Sequence, residues 1–377
     1  MKVGVVTYSS TIDNYGQVLQ YLATQEFLKD FDFDVFLLRE KVNNPLWKRL
    51  LRPLYYFIKN IILRKRLDSE FKQKRMKFKK WHSISDKMEK KHPRHFEEFR
   101  KKNFKIVEDD GSYFYNAKFD AFCAGSDQIW SESPFYYFLR FAPKECIRFS
   151  VASSVGHRPI TNEFVNDVKE DLSLFSFITV REKNGVELCR KAGRCDAHLV
   201  LDPTFLISSD RYFRFSLPLR KKRPYIFLYL LGADISVSVE DIFSFAEEKN
   251  MDVKYVASQG RCDSFPKIYA TVEEWLSLLV NADYVLTNSF HGMALSLIHH
   301  KNFLVFPVVG VLSTLNGRIE NIASIFALTS RIYDKSMEIL FDSIDWCGVD
   351  SVIEKNKQFM SSLMGTLVHK KCNLNLK

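Results

Sequence analysis

A chain of 377 residues exceeds the size at which a single hydrophobic core usually keeps growing, so its length favours two domains. Hydrophobic residues make up 46% of the sequence and charged residues 27%, which is typical of a globular protein and excludes fibrous and disordered chains. The sequence has no long apolar run that could span a bilayer and no CxxC pair. We therefore expect a cytoplasmic protein with reduced cysteines and no metal site.

The net charge of +10 is concentrated in one segment. Residues 41–105 contain 22 lysine and arginine residues against 6 aspartate and glutamate residues, a balance of +16, so the remainder of the chain carries −6. Apolar residues recur at helical spacing in this segment, which predicts a basic helical insert over 43–105. Two interpretations stay open: the insert packs on the body with a solvated basic face, or it is a surface that contacts anionic headgroups or a lipid-linked substrate. Nucleic acid is not an expected partner, because no nucleic-acid-binding module accompanies the charge.

The first predicted elements alternate between strand and helix. Residues 2–8 predict a buried strand, 16–30 an amphipathic helix and 34–40 a second strand, which together form a β-α-β unit with parallel strands. The loop before the helix offers Asn14 or Asp13 as its cap. Four further predicted strands complete a first domain over 1–207, at 118–124, 147–153, 176–181 and 198–201.

Proline and charge interrupt the periodicity at 208–224, which we interpret as a linker between domains. Alternation resumes over 225–345 as a second domain, and a last helix within 346–377 is expected to pack back on the first. The predicted fold class is α/β, with two Rossmann-like domains resembling a B-type glycosyltransferase and the basic helical insert in the first. Such folds bind ligands at the carboxyl ends of their strands, so the cleft is the candidate site. Fold alone does not choose the chemistry.

Short motifs interrupt the periodicity where strands end. They are DNYG (13–16), AGSDQIW (124–130), SSVGHRP (153–159), VREKNG (180–185), LDPTF (201–205), TNSFHGMA (287–294) and the arginine-bearing stretch 315–331. Taken singly, each motif is explained as well by a structural role as by a functional one, since glycine permits tight turns and Ser, Asn or Asp cap helices.

Taken together and in this order, the motifs resemble the polysaccharide pyruvyl transferase family. The resemblance runs from Lys2 to about Tyr333, and its most recognisable stretch is TNSFHG. Two small departures are Thr179, where serine is common, and SVG at 154–156, where Ser-Phe-Gly is more usual. The resemblance implies transfer of the enolpyruvyl unit of phosphoenolpyruvate to a glycan sugar, often lipid-linked, with a pyruvate ketal and phosphate as products. It implies no cofactor besides this co-substrate.

A site for phosphoenolpyruvate must supply cationic donors and a helix N-terminus, because the ligand carries a phosphate and a carboxylate. His291 is the predicted catalytic acid or phosphate-binding residue, since histidine titrates near neutral pH. The residues that we assign to this ligand are Arg181, Asn288, Ser289, His291, Gly292, Arg318 and Arg331.

We assign the acceptor sugar to motifs of the first domain. Asp127 is the second predicted catalytic residue, which contacts or deprotonates the acceptor hydroxyl. Gln128 is expected to bind the sugar by hydrogen bonds and Trp130 by stacking. The full acceptor set is Asn14, Tyr15, Gly16, Ser126, Asp127, Gln128 and Trp130.

Two other functions stay open. A B-type glycosyltransferase that uses a nucleotide sugar would share the fold and a His/Arg phosphate site, and Glu320 is available to contact its donor. A non-catalytic, membrane-associated scaffold would instead use the insert 43–105 as its functional surface. For the transferase we expect a cytoplasmic location, with the inner face of the membrane as the place where a lipid-linked acceptor is met.

Overall fold

A computed structural model of the protein describes residues 1–40, 83, 86–109, 112, 114, 117–131, 134–156, 158–232, 234–258, 260, 261, 263–310 and 316–374, with backbone only for 369–374. Most of the predicted basic insert, namely 43–82 with 84 and 85, lies outside these residues. No helix within the described residues is long and apolar enough to cross a lipid bilayer.

The N-terminal unit is built around one parallel sheet. Its strands are β1 (Lys2–Val6), β2 (Asp34–Arg39), β3 (Lys105–Glu108), β4 (Ala121–Ala124), β5 (Ile147–Ser150) and β6 (Phe175–Phe177), with the short pair β7 (Thr179–Val180) and β8 (His198–Leu199) beside it. Its helices are α1 (Tyr15–Lys29), α2 (Phe96–Asn103), α3 (Pro134–Tyr137), α4 (Asn162–Ser173) and α5 (Lys183–Lys191). The strand order β3-β2-β1-β4-β5-β6 is that of a Rossmann fold. Strand β1 is central and almost wholly buried, as its uninterrupted apolar sequence requires.

The C-terminal unit contains a second parallel sheet. Its strands are β9 (Tyr225–Tyr229), β10 (Asp252–Tyr255), β11 (Tyr284–Thr287) and β12 (Asn302–Val305), in the order β10-β9-β11-β12. The remaining helices are α6 (Ser209–Phe213), α7 (Val239–Glu248), α8 (Val272–Val280), α9 (Phe290–Ile298), α10 (Asn316–Ile325) and α11 (Trp346–Leu374). The predicted α/β class with two Rossmann-like units is confirmed.

The two units share a hydrophobic core at the start of α1. Tyr15 is fully buried, and its ring stacks on Trp275 of the C-terminal unit with centroids 5.3 Å apart. Its hydroxyl donates a hydrogen bond to the carbonyl oxygen of Ala270 at 2.6 Å. These contacts fix the N-terminus of α1 against the C-terminal unit.

Helix α11 contacts the N-terminal unit. The backbone N–H of Leu201 donates to Asn356 Oδ1 at 2.9 Å, and the ring of Phe359 packs edge-on against His198. The domain boundaries drawn from the sequence stay predictions.

Candidate active site

Two loops that follow central strands meet in the cleft. The strand order changes direction between β1 and β4 in one sheet and between β9 and β11 in the other. Parallel α/β sheets bind ligands outside the carboxyl ends of their strands at such points. The loop after β4 carries Asp127 and the segment after β11 carries His291, and the two side chains are close enough to influence each other's pKa.

Two helix N-termini also meet there. Helix α1 begins after Asn14, whose side-chain oxygen accepts from the Gln17 backbone N–H at 3.2 Å. Helix α9 begins after Ser289, whose hydroxyl accepts from the Gly292 N–H at 3.3 Å. A Cβ atom at Gly16 would overlap the His291 imidazole, so only glycine permits this approach. The DNYG and TNSFHG motifs therefore form one site.

His291 is a buried, neutral imidazole. Its side chain is 9% exposed, and Nε2 has no hydrogen-bond partner among the described residues. Burial lowers its pKa from 6.5 to about 4; the Asp202 carboxylate opposes this shift and Arg181 adds to it. The expectation that His291 titrates near neutral pH therefore does not fit the unliganded site, where the imidazole is a proton acceptor.

The guanidinium of Arg181 is committed to two carboxylates. Nη1 donates to Asp202 Oδ2 at 2.6 Å and Nη2 to Asp127 Oδ1 at 3.3 Å, whereas Nε has no partner among the described residues. Burial acts to lower the pKa of Arg181, but the two carboxylates outweigh it and the pKa is raised. Burial acts to raise the pKa of both aspartates, but Arg181 outweighs it and each pKa is lowered. All three groups are charged at neutral pH.

Arg318 is a cation that makes no direct ion pair within the described residues, although Asp127, Glu182 and Asp202 are near enough to act on its charge. Its Nε has no hydrogen-bond partner, and no ion pair to its guanidinium occurs in the described part of the chain. The Phe290 ring lies beside both arginines, with its centroid 5.8 Å from Arg318 Cζ and 5.7 Å from Arg181 Cζ. Burial, followed by the nearby Arg181 charge, lowers the pKa of Arg318 from 12.5 to about 10. Arg318 is still protonated at neutral pH, and an anion beside it would be stabilised.

A cavity of about 200 Å³ lies between the two units at these arginines. Its lining includes Arg181, Glu182, Asn184 and Asp202 from one unit and Phe290, Arg318 and Asn321 from the other. His291 is not a lining residue, but its ring packs edge-on against Phe290 with centroids 5.1 Å apart. The cavity is a candidate anion site, since it presents Arg318 without a direct ion pair, and it has a neutral imidazole next to it.

Residues 14–308 match the model of the polysaccharide pyruvyl transferase family. The match covers well over half of the chain and includes both helix N-termini of the cleft. The chain belongs to the polysaccharide pyruvyl transferase family. It is accordingly a transferase of polysaccharide biosynthesis, and membership implies a polysaccharide acceptor.

Comparison with curated protein sequences gives no match for this pyruvyl transferase family member. Similar solved structures include the UDP-GlcNAc 2-epimerase of Methanocaldococcus jannaschii, at 10% identity over 96% of this chain and 99% of the other, with a TM-score of 0.49. A putative UDP-N-acetylglucosamine 2-epimerase of Listeria monocytogenes has 9% identity, 95% and 90% coverage and a TM-score of 0.47. Arabidopsis thaliana UGT89C1 complexed with UDP has 12% identity, 99% and 100% coverage and a TM-score of 0.48.

Three of the predicted acceptor-binding residues of this family member lie in its core. Tyr15, Ser126 and Trp130 are fully buried. The Trp130 ring stacks on Phe138 with centroids 4.9 Å apart, and its Nε1 donates to the Tyr137 carbonyl oxygen at 3.1 Å. Trp130 therefore has no free ring face for a sugar, and its place in the structure does not fit the predicted stacking role.

Asp127 lies in the site, where several groups hold its carboxylate. Its backbone has a positive φ of 73°, a conformation that aspartate tolerates better than most residues. Oδ1 accepts from the Gln128 backbone N–H at 2.9 Å, and Oδ2 accepts from Gln17 Nε2 at 3.3 Å. The side chains of Gln128 and Asn14 are half-buried beside it.

Some of the residues assigned to phosphoenolpyruvate have structural roles. The Asn288 side chain makes two hydrogen bonds with the Leu231 backbone, at 2.6 and 2.9 Å. Arg331 lies outside the cleft: it is 2% exposed and donates to backbone carbonyl oxygens after α10, among them those of Ile339 and Asp342. Of the three predicted arginines, Arg181 and Arg318 line the cavity and Arg331 does not.

Sequence reasoning missed several residues of the pocket. Asp202 follows β8 in the LDPTF motif, is fully buried, and is the closest counterion of Arg181. Glu182 accepts hydrogen bonds from the Ser154 hydroxyl at 2.5 Å and the Gly156 N–H at 2.8 Å. The motifs LDPTF and VREKNG contained both acids, but the sequence did not show which of them faces Arg181.

Proposed function

We propose that this protein transfers pyruvate from phosphoenolpyruvate to a sugar of a cell-surface or exopolysaccharide precursor and forms a pyruvate ketal. The observation that carries the proposal is the Arg318 guanidinium at the cavity, which makes no direct ion pair within the described residues. A guanidinium matches both phosphate and carboxylate oxygens, and the nearby N-terminus of α9 favours negative charge. Membership of the family supports the pyruvyl group and the polysaccharide acceptor.

The proposed reaction balances its protons within the reactants. C3 of the enol gains a proton and becomes a methyl group, and the first sugar hydroxyl attacks C2. The bond from C2 to the phosphate oxygen then breaks, and a second hydroxyl attacks C2 to close the ketal. The two hydroxyls release two protons; one replaces the proton consumed at C3 and the other protonates the departing phosphate. The site therefore needs one group that accepts a proton and returns it.

The two predicted catalytic residues suit different parts of this sequence. His291 is neutral in the unliganded site, and its free Nε2 suits uptake of a proton when phosphoenolpyruvate binds, donation of that proton to C3, and acceptance of a proton from the attacking hydroxyl. The pKa of Asp127 is lowered by Arg181 against the effect of burial, so Asp127 stays ionised and is a weak base. We assign Asp127 to orienting the acceptor hydroxyl by a hydrogen bond rather than to deprotonating it.

Binding of phosphoenolpyruvate is expected to be coupled to proton uptake by His291. In the unliganded protein its pKa is about 4, and a bound anion nearby raises it. At a pH between the unliganded and the liganded pKa, the liganded protein binds more protons than the unliganded protein does. The affinity for phosphoenolpyruvate therefore rises as the pH falls through this range. Calorimetric titration at pH 6 in two buffers of different ionisation enthalpy measures the uptake. His291→Gln is expected to take up fewer protons than the unmodified protein, and equal uptake would refute the assignment.

We further propose that the acceptor is lipid-linked and is met at the inner face of the cytoplasmic membrane. The support is the charge of the insert 43–105, since clustered lysine and arginine residues are attracted to anionic headgroups. Most of that insert lies outside the described residues.

Thermal unfolding distinguishes this function from the nucleotide-sugar alternative. A ligand that binds only the folded protein raises Tm, and the stabilisation grows with the logarithm of the ligand's excess over Kd. We expect phosphoenolpyruvate to raise Tm by about 2–6 °C at saturation and UDP-sugars to leave it unchanged. A shift with UDP-sugars and none with phosphoenolpyruvate would favour the B-type glycosyltransferase.

A further inference from the structure

The segment between the two units exposes apolar and cationic side chains together. Phe213 is 56% exposed, Leu217 45% and Leu219 38%. Arg214, Arg220 and Lys222 are also exposed, and no ion pair to them occurs within the described residues. We call these six residues the linker face.

The backbone under the linker face is held in place. The Ser277 hydroxyl accepts from the Leu217 N–H at 2.6 Å and donates to the Leu217 carbonyl oxygen at 2.8 Å. Lys221 pairs with Asp283 and Arg223 with Asn250, each at 2.5 Å. The exposed apolar side chains are therefore displayed by an ordered segment, and such clustering on an ordered surface marks an interaction site.

The segment 208–224, which carries the linker face, is rich in cations. Arg211, Lys221 and Arg223 pair with acids outside it, so the positive charge without an ion pair in the described residues is that of the linker face. Residues 208–224 contain six lysine and arginine residues against one aspartate, Asp210, a balance of +5. The chain outside 41–105 totals −6, so the remainder outside both segments carries −11. A partner of the linker face must therefore be anionic and must also accept apolar side chains.

A cavity of about 450 Å³ adjoins this segment and shares Phe213 with it. Two of its lining residues, Lys301 and Lys357, have no ion pair to their ammonium groups in the part of the chain that the structure describes. Ser208 and His299 also line it, and so do the acidic residues Asp210 and Asp350, which balance the charge of the two lysines.

We infer that the linker face docks on an anionic phospholipid bilayer. Phe213, Leu217 and Leu219 enter the interfacial layer, and the three cations contact lipid phosphates. Apolar side chains interleaved with arginine and lysine match a surface that has hydrocarbon beneath its phosphates, whereas an acidic protein surface offers the charge without the hydrocarbon.

Docking on this face leaves the candidate active site accessible. The site lies at the N-terminus of α9 and the cavity lies at its other end, at His299. A nine-residue helix is about 13 Å long, so the two sites are separated by the length of α9. The inference therefore stands apart from the proposed function, and either can fail without the other.

Vesicle flotation of the full chain tests this inference. The vesicles contain three parts phosphatidylcholine to one part phosphatidylglycerol, and phosphatidylcholine alone serves as the neutral comparison. We expect the protein to float only with the anionic vesicles. A triple variant that removes the three cations should bind the anionic vesicles on the order of a hundredfold more weakly, since each cation near an anionic surface contributes about fivefold to binding. Its substitutions are Arg214→Gln, Arg220→Gln and Lys222→Gln. A second triple variant removes the three apolar side chains and should bind the vesicles at least about tenfold more weakly. Its substitutions are Phe213→Ser, Leu217→Ser and Leu219→Ser.

The control is a triple variant that loses three positive charges elsewhere on the protein surface. Lys144, Lys169 and Arg190 are exposed in the N-terminal unit, and their replacement by glutamine should leave flotation nearly unchanged. The Tm of each variant without vesicles should match that of the unmodified protein, which verifies folding independently of phosphoenolpyruvate. The inference would be overturned if the protein did not bind anionic vesicles. It would also be overturned if either linker-face variant bound them as strongly as the unmodified protein does, and binding would then lie in another surface such as the insert 43–105.

Discussion

Replacing Arg318 by methionine is expected to lower kcat/KM for phosphoenolpyruvate by about a hundred- to a thousandfold, because it removes the one cavity cation that makes no direct ion pair in the described residues. The same change should leave Tm unchanged or raise it. In the unliganded protein Arg318 is a partly buried charge, and burial and the nearby Arg181 charge both lower its pKa. Its removal therefore relieves an unfavourable electrostatic interaction. Steady-state kinetics and thermal unfolding on the same preparation measure both effects.

Arg331→Met is the matched control for that change. Arg331 donates to three backbone carbonyl oxygens that would lose their partner, so this variant should lose roughly 2–4 kcal/mol of unfolding free energy. Its remaining folded fraction should keep the KM of the unmodified protein. If Arg318→Met were destabilised like Arg331→Met and kept its activity, Arg318 would be a structural residue and the assignment of the cavity would be wrong.

Gly16→Ala is expected to abolish most activity although it adds a single methyl group. The new Cβ would overlap the His291 ring, and the neighbours cannot yield easily, because Tyr15 beside it is anchored to Trp275 and Ala270. Either α1 moves away from the C-terminal unit or the imidazole rotates out of position. We expect a fall in kcat of at least about a hundredfold, because small displacements of catalytic groups have effects of this size, and a loss of about 1–3 kcal/mol of stability from overpacking.

Gly365→Ala separates this steric effect from a general effect of replacing glycine. Gly365 lies in α11 with no described atom close enough to meet an added Cβ, and alanine there should stabilise the helix by about 0.4–1 kcal/mol. Kinetics and urea unfolding of the two variants give the comparison. Full activity in Gly16→Ala would mean that the contact between the two helix N-termini is not required for the reaction.

The fold was predictable because its signals are local. Alternating strand and helix patterns identify both parallel sheets, and glycine and polar residues at strand ends identify the loops that face the cleft. The same pattern could not define the predicted insert, since helical spacing and charge say little about how a segment packs.

The details of the site depend on contacts between residues that are far apart in the sequence. Gly16 and His291 touch although 275 positions separate them, and Arg181 is paired by Asp202 rather than by a neighbour in its own motif. Trp130 looked like a sugar-stacking residue because it follows a polar turn, but the packing of Phe138 against it places it in the core. Tertiary packing decides burial, and a sequence motif cannot report it.

The two arginines after the TNSFHG motif show the same limit. Both follow the motif in the sequence; Arg318 lies in the first turn of α10, and Arg331 ends the short 3-10 helix Thr329–Arg331. Only the structure distinguishes the arginine that faces the cavity without a direct ion pair from the one that binds backbone carbonyl oxygens. Residue type predicts an anion site, whereas the presence or absence of internal partners decides which residue is available to a ligand.

Product analysis with a galactoside acceptor tests the central claim most directly. The protein is incubated with phosphoenolpyruvate and a synthetic or lipid-linked galactoside, and both phosphate release and the mass of the acceptor are followed. The proposed function predicts one phosphate released for each acceptor that gains a pyruvate ketal, with a strong loss of both in Arg318→Met. Transfer of a sugar from a UDP-sugar to the same acceptor, with no ketal and no phosphate released from phosphoenolpyruvate, would contradict it.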